Sequence, residues 1–230
     1  MIQAEETPSP NFDDRPVGTP IDILLLHYTG MRTGAAALER LRDPNAKVSA
    51  HYLVEEDGRL FRLVDEEKRA WHAGVAFWRG EEDINARSIG VEIVNPGHEW
   101  GYRPFPEAQV KTVVELCRDV VARHAVPRER VLGHSDVAPE RKEDPGELFP
   151  WERLAFEGLA LPPYGGPGAP NMPREKALSI LSAFGYRIDA KGPAAAILAF
   201  QRRFAPAALG RGLDPLTKGA LGALAQAGLV

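Results

Sequence analysis

Ile23-Leu24-Leu25-Leu26-His27-Tyr28-Thr29 is the stretch on which the fold turns. An apolar run without polar alternation reads as a strand buried on both faces, the kind found inside parallel or mixed sheets. It carries a histidine at its carboxyl end, where clefts form in open sheets. Working outward, residues 88–94 are a second apolar run, stopped by Asn95-Pro96-Gly97, and residues 130–133 are a last short one. Residues 51–55 and 59–64 flank Glu56-Asp57-Gly58, a hairpin signal that argues against a purely parallel sheet. Helical patterns alternate with these strands. Residues 33–42 form a short helix ended by Asp43-Pro44, because the residue before a proline disfavours the helical conformation. Residues 106–124 form the longest helix. Pro106 suits its first turn, and Val110, Val113, Val114, Cys117, Val120 and Val121 mark one face. The expected fold class is therefore α/β (α+β), a mixed central sheet flanked by helices.

Four segments are expected. Residues 1–20 are a polar, Pro-rich N-terminal arm, residues 21–160 the main α/β domain, and residues 161–172 a linker dense in Pro and Gly. Residues 173–230 carry three short helical patterns, at 174–184, 193–204 and 215–227. This tail of roughly 60 residues is near the lower size limit for independent folding. It has no histidine.

Composition narrows the classes. A formal net charge of -4 leaves no electrostatic footprint for nucleic acid. The single cysteine, Cys117, excludes an internal disulfide and a Cys-rich metal cluster; at its helical spacing it reads as a small buried hydrophobe. No apolar run approaches the roughly 20 residues that span a bilayer. The first residues lack the basic and apolar segments of a secretory leader, so a cytoplasmic monomer is expected, with the periplasm or cell envelope as the alternative for a trimmed chain.

The chemistry concentrates in Gly133-His134-Ser135-Asp136-Val137-Ala138-Pro139-Glu140-Arg141-Lys142-Glu143-Asp144-Pro145-Gly146, a Pro-punctuated loop after a strand. His27, His134 and Asp144 could meet in one cleft as three metal ligands with a fourth position open, the layout of a catalytic zinc. The competing readings are hydrogen-bonded core histidines, an Asp-Pro-Gly turn, and a solvated charge at Lys142. Glu92 interrupts an otherwise buried strand, and a carboxylate on a partly dry face is costly unless paired or functional. His124 is explained by the helix C-terminus and His98 by a solvated loop. Trp71-His72-Ala73-Gly74 and Phe77-Trp78-Arg79-Gly80 form an aromatic, Gly-rich loop that is either a groove wall or packed on the domain.

Taken in order, His27-Tyr28-Thr29, Ser49-Ala50-His51-Tyr52-Leu53-Val54, Trp71-His72-Ala73-Gly74, residues 88–95 and residues 133–146 resemble the zinc-dependent N-acetylmuramoyl-L-alanine amidases of the amidase-2 class. The resemblance covers roughly residues 15–160. It implies Zn2+ on His27, His134 and Asp144, with Glu92 as the catalytic glutamate and Lys142 stabilising the transition state. His51, Tyr52, Trp78, Arg79 and Asn95 are expected to contact substrate. Phage and recognition-protein relatives, which resemble the chain less, place a cysteine at Asp144 and a catalytic tyrosine where Ala50 aligns. Glu140 stands where bacterial relatives often have glycine. The implied reaction is hydrolysis of the amide between N-acetylmuramic acid, or its anhydro form, and L-alanine. The implied partners are peptidoglycan or soluble muropeptides. The tail, through Ala177-Leu178, Phe184-Gly185-Tyr186, Ala199-Phe200-Gln201-Arg202-Arg203-Phe204 and Leu213-Asp214-Pro215-Leu216-Thr217, resembles the three-helix peptidoglycan-binding domain, with its glycine-rich centre abbreviated to Asp189-Ala190-Lys191-Gly192.

Overall fold

The protein is described by a computed structural model covering residues 2–188 and 192–230; Asp189-Ala190-Lys191, the abbreviated centre of the tail, lies outside the described residues. Strands β1 (Glu5–Glu6), β2 (Phe12–Asp14) and β3 (Ile23–Tyr28) precede helix α1 (Gly34–Arg42). Strands β4 (Tyr52–Val54), β5 (Leu60–Arg62), β6 (Lys68–Ala70) and β7 (Ser88–Ile93) follow. Helices α2 (Gly97–Trp100) and α3 (Glu107–His124), strand β8 (Val131–Gly133), and helices α4 (His134–Val137) and α5 (Trp151–Phe156) complete the main domain. The tail is α6 (Arg174–Phe184), α7 (Ala194–Phe204) and α8 (Pro215–Gln226).

The central sheet has the order β1-β5-β4-β7-β3-β8. Only β4 and β5 pair antiparallel, across the expected hairpin; the rest of the sheet is parallel. β3 lies between β7 and the edge strand β8, and all but its last residue are buried. The register sets Leu25 beside Gly90 and Leu132, and His27 beside Glu92. Alternation then sorts the two faces. Leu24, Leu26, Ile89, Val91 and Ile93 pack under α3, whose Val110, Val113, Cys117 and Val120 face them. Ile23, Leu25 and Leu132 point the other way. Helix starts follow local rules: Thr33 caps α1 by accepting from Ala36 N at 3.2 Å, and Asp214 caps α8 by accepting from Thr217 N at 2.8 Å.

Residues 1–20 are more than an extended arm. β1 adds to the sheet edge beside β5, and β2 pairs antiparallel with β6 in a separate ribbon. Arg15 then runs inward. Its guanidinium donates to Glu66 O at 2.9 Å, Ala86 O at 2.6 Å and Ser88 O at 2.9 Å. Burial lowers this guanidinium to about 10, well below its ordinary value. With Asn85 O at 3.1 Å, four carbonyl acceptors are what make a charge tolerable there.

The tail shares a core with the sheet. Ile23, Leu25, Trp78, Leu132 and Val137 form one hydrophobic cluster with Leu181, Phe184, Tyr186 and Phe200. Trp78 is the centre of this contact: fully buried, it meets Phe184 and Tyr186 edge-on at 5.5 and 5.2 Å between ring centroids. Gly185 is required there, because a Cβ would stand 2.7 Å from the Trp78 ring at a φ of 147°.

Candidate functional site

The cleft opens at the carboxyl ends of β3 and β7, on the face that carries Leu25. It is lined by His27, Tyr28, Trp71, His72, Glu92, His134, Lys142 and Asp144, among others, and holds about 190 Å³ of space. At about 30 Å³ per water, that is room for several solvent molecules or one end of a larger ligand.

His27 Nδ1, His134 Nδ1 and Asp144 Oδ2 meet at its floor. The two nitrogens are 2.9 Å apart, and each is 3.0 Å from the carboxylate oxygen. All three residues are buried and are able to hold a metal ion together. His27 comes from β3; His134 opens α4, a helical turn where the sequence pattern suggested a loop. Asp144 returns from the following loop, and its carbonyl accepts from Ser135 N at 2.9 Å.

The surrounding hydrogen bonds fix what the three atoms offer. Ser88 Oγ donates to Ile84 O at 2.6 Å, so it must accept from His72 Nε2, 3.3 Å away. Burial, then the neighbouring His27 and His51, hold His72 neutral, well below the ordinary imidazole range. Its Nδ1 is therefore an acceptor and takes the Nε2–H of His27 at 3.0 Å. Burial, followed by His134, lowers His27 to about 4, so at neutral pH its Nδ1 carries a bare lone pair. His134 Nε2 faces Ala73 O at 3.0 Å and must donate to it. Asp144 Oδ2 faces the Nδ1 atoms of both histidines, and neither carries a proton to share with it. Three electron-rich atoms about 3 Å apart repel one another, and a cation is what such a donor set fits.

Glu92 stands beside His27 in the strand register and lines the same cleft. Its Oε2 is buried with no hydrogen-bond partner among the described residues. Burial, reinforced by Asp144 and opposed by Lys142, raises its carboxyl well above the usual range. Gly90, two residues before Glu92 on β7, is on the same face, and a Cβ there would stand 2.5 Å from the His72 ring. Gly90 is thus the position that lets His72 reach His27. Lys142 reaches the cleft wall from the loop, its amide donating to Ala138 O at 3.0 Å.

The five residues expected to touch substrate are not among those that line this cleft. Trp78 is in the core shared with the tail. Arg79 donates through Nε to Phe184 O at 2.8 Å and through Nη2 to Leu229 O at 3.2 Å. His51 is fully buried and accepts from Gly90 N at 2.9 Å. Tyr52 points to the opposite face, where its hydroxyl donates to Glu66 at 2.8 Å. Asn95 is fully buried and donates to Arg103 O at 2.8 Å. Their motifs placed them near the cleft in sequence, but strand alternation and turn geometry turned the side chains away. Of the aromatic loop, Trp71 and His72 line the cleft and Trp78 does not. His98 is no simple surface histidine: it stacks on Tyr102 at 4.3 Å and meets Tyr28 Oη at 2.9 Å. His124 pairs with Glu66 at 2.6 Å.

A buried three-donor cation cluster beside an unpaired carboxylate, at the carboxyl ends of central parallel strands, is the layout of a hydrolase. The chain belongs to the N-acetylmuramoyl-L-alanine amidase family, whose pattern matches residues 17–147. It is 36% identical over 211 residues to the N-acetylmuramoyl-L-alanine amidase AmiD of Escherichia coli, covering 81% of this chain and 75% of that protein. It is 32% identical over 171 residues to the 1,6-anhydro-N-acetylmuramyl-L-alanine amidase AmpD of Haemophilus influenzae, covering 66% of this chain and 91% of the relative. The solved complex of E. coli AmiD with anhydro-N-acetylmuramic acid-L-Ala-D-gamma-Glu-L-Lys superposes with a TM-score of 0.82 at 30% identity. That match covers 96% of this chain and 99% of the other, so the likeness includes the tail.

Proposed function

We propose that this chain hydrolyses the amide between the lactyl carbonyl of N-acetylmuramic acid, or its anhydro form, and the amino group of L-alanine. One zinc ion held by His27, His134 and Asp144 serves that reaction. The observation that carries the reading is the convergence of three lone-pair atoms beside the half-buried Glu92, whose Oε2 has no partner among the described residues. A zinc ion at such a site acidifies water to a pKa of roughly 7 and polarises the scissile carbonyl. Glu92 accepts the proton of the attacking water and delivers it to the departing alanine nitrogen. Lys142 offers its ammonium to the oxygen that gains charge in the tetrahedral transition state. His72 donates to Ser88 and accepts from His27, which keeps the metal-facing nitrogen of His27 unprotonated.

Water is added across the amide: the C–N bond breaks, the hydroxyl goes to the carbonyl carbon and one proton goes to the nitrogen. The tail is read as a peptidoglycan-binding-like domain, on the strength of its three helices and the residues that resemble that family. The test is incubation of the purified chain with a soluble anhydromuramoyl tripeptide and mass analysis of the products. The expected products are the free tripeptide with an unblocked alanine amine and the anhydro sugar acid. Cleavage within the peptide instead would identify an endopeptidase and overturn the reading.

A further inference from the structure

Three side chains of the tail reach the segment that carries His134, Lys142 and Asp144. Arg202, on α7 and with its side chain only 7% exposed, donates to Glu143 at 2.9 Å and to Glu147 at 3.2 Å. Glu143 sits between Lys142 and Asp144 in the chain. One guanidinium therefore spans the loop from the residue before the carboxylate ligand to the third residue after it. Tyr186, fully buried, donates its hydroxyl to Asp136. Asp136 in turn accepts from Gly133 N at 2.8 Å and so closes the start of α4, where His134 stands. Arg203, also buried, stacks on Trp151 at 3.5 Å and lends its charge to the same Asp136.

The loop has other supports as well. Ala138 O accepts from Arg141 N and Lys142 N, and Tyr102 Oη donates to Pro145 O at 2.7 Å while accepting from Leu148 N at 3.0 Å. Arg202 ties Glu143 and Glu147 to the tail, while His98 meets the same two carboxylates from the main domain at 3.6 and 3.2 Å. An ion pair between exposed side chains contributes little, but a largely buried guanidinium bridging two carboxylates fixes position as well as charge. A displacement of about 1 Å at reacting groups costs on the order of a hundredfold in rate.

We propose that Arg202 and Tyr186 are positioning residues: the tail holds the loop bearing Lys142 and Asp144 in its working geometry, in addition to whatever the tail binds. The inference rests on the zinc amidase reading. It is tested on the full chain, loaded with Zn2+ for kinetics and with Co2+ for spectroscopy, in Arg202→Ala, Arg202→Lys, Tyr186→Phe and the doubly substituted Glu143→Gln/Glu147→Gln. With the soluble anhydromuramoyl tripeptide, Arg202→Ala is expected to lower kcat about tenfold or more with KM within about twofold. The same variant should lose metal to a chelator about tenfold faster and shift the Co2+ d–d band, as loss of an outer-sphere contact does. The double glutamine variant should match it from the loop side, Arg202→Lys should recover most of the loss, and Tyr186→Phe should fall between. Wild-type kcat, chelator rate and Co2+ spectrum in Arg202→Ala overturn the proposal even if its thermal stability drops. If Arg202→Ala does not fold, the same three wild-type values in the double glutamine variant overturn it. If the unmodified chain does not split the tripeptide, the function reading fails, while the chelator and Co2+ readouts still decide the positioning claim.

Discussion

The two halves of one sheet face make an instructive pair. Leu25 and His27 are two residues apart on β3 and point the same way. At Leu25 the face is hydrocarbon, closed by Trp78, Phe184 and Phe200 from loop and tail. At His27 it is a polar cleft in which three lone pairs meet and a carboxylate has no partner. The amino half gains by burying apolar surface, about 25 cal/mol for each Å² removed from water. The carboxyl half spends stability to hold groups that repel. A rigid, tail-backed sheet is what keeps that second half in place, and strain of this kind concentrates where chemistry is done.

The sharpest way to break this contrast is at Glu92. Glu92→Gln keeps the shape and removes the proton acceptor, so turnover should fall by roughly two to four orders of magnitude. The same change should stabilise the metal-free protein. The sign follows from the raised carboxyl: the folded state binds the proton more tightly than the unfolded chain, so Glu92 costs stability as pH rises above its unfolded value of about 4.3. At pH 7 the metal-free variant should melt a few degrees higher, at roughly 2–4 °C per kcal/mol, and the gap should close below about pH 4. A variant that is inactive and also less stable at pH 7 would contradict the claim that this carboxylate is stored at a cost.

A smaller effect is expected one shell out. His72→Leu removes the acceptor for His27 Nε2–H while keeping bulk against Gly90. Zinc affinity should weaken by about 10- to 100-fold, measured by competition with a chromogenic chelator. Unchanged affinity would mean that His27 needs no partner to present its Nδ1.

The smallest effect lies on the opposite face. Burial would raise the Glu66 carboxyl, but Arg123, His124 and Tyr52 hold it at about 2. A carboxyl lowered on folding contributes stability above its unfolded value, about 4.3, and loses it as pH falls towards 2. Glu66→Gln should therefore be less stable than the unmodified chain at pH 6 and approach it near pH 2, with activity unchanged at pH 7. Urea denaturation across that range checks it, and a pH-independent difference would mean that the cluster acts by packing rather than by charge.

The physical basis of what the sequence revealed is uneven. β3 and β7 were legible because a strand buried on both faces must be apolar throughout, and the hairpin because Glu56-Asp57-Gly58 needs a positive φ, which Gly58 supplies at 90°. His27, Glu92, His134, Lys142 and Asp144 stand in one cleft because the strand ends that bear or precede them are neighbours in the sheet. β1, β2 and β6 left no pattern, being two or three residues long and recruited by pairing rather than by burial. The roles of Arg15, His72, Tyr186 and Arg202 depend on partners 16 to 73 residues away in the chain, which no local pattern encodes. The one hint was Arg202-Arg203 in a helix that is apolar up to Gln201, an arrangement that makes sense only once acidic groups are found facing it.

The central claim is that His27, His134 and Asp144 are arranged for a cation that the reaction needs, and metal stoichiometry tests it most directly. Elemental analysis of the chelator-stripped and reloaded chain, read together with its turnover of the anhydromuramoyl tripeptide, should give about one zinc per chain, with activity lost on stripping and regained on loading. Asp144→Ala should bind less than a tenth as tightly and be inactive. Full turnover by metal-free protein, or unaltered zinc binding in Asp144→Ala, would contradict the account.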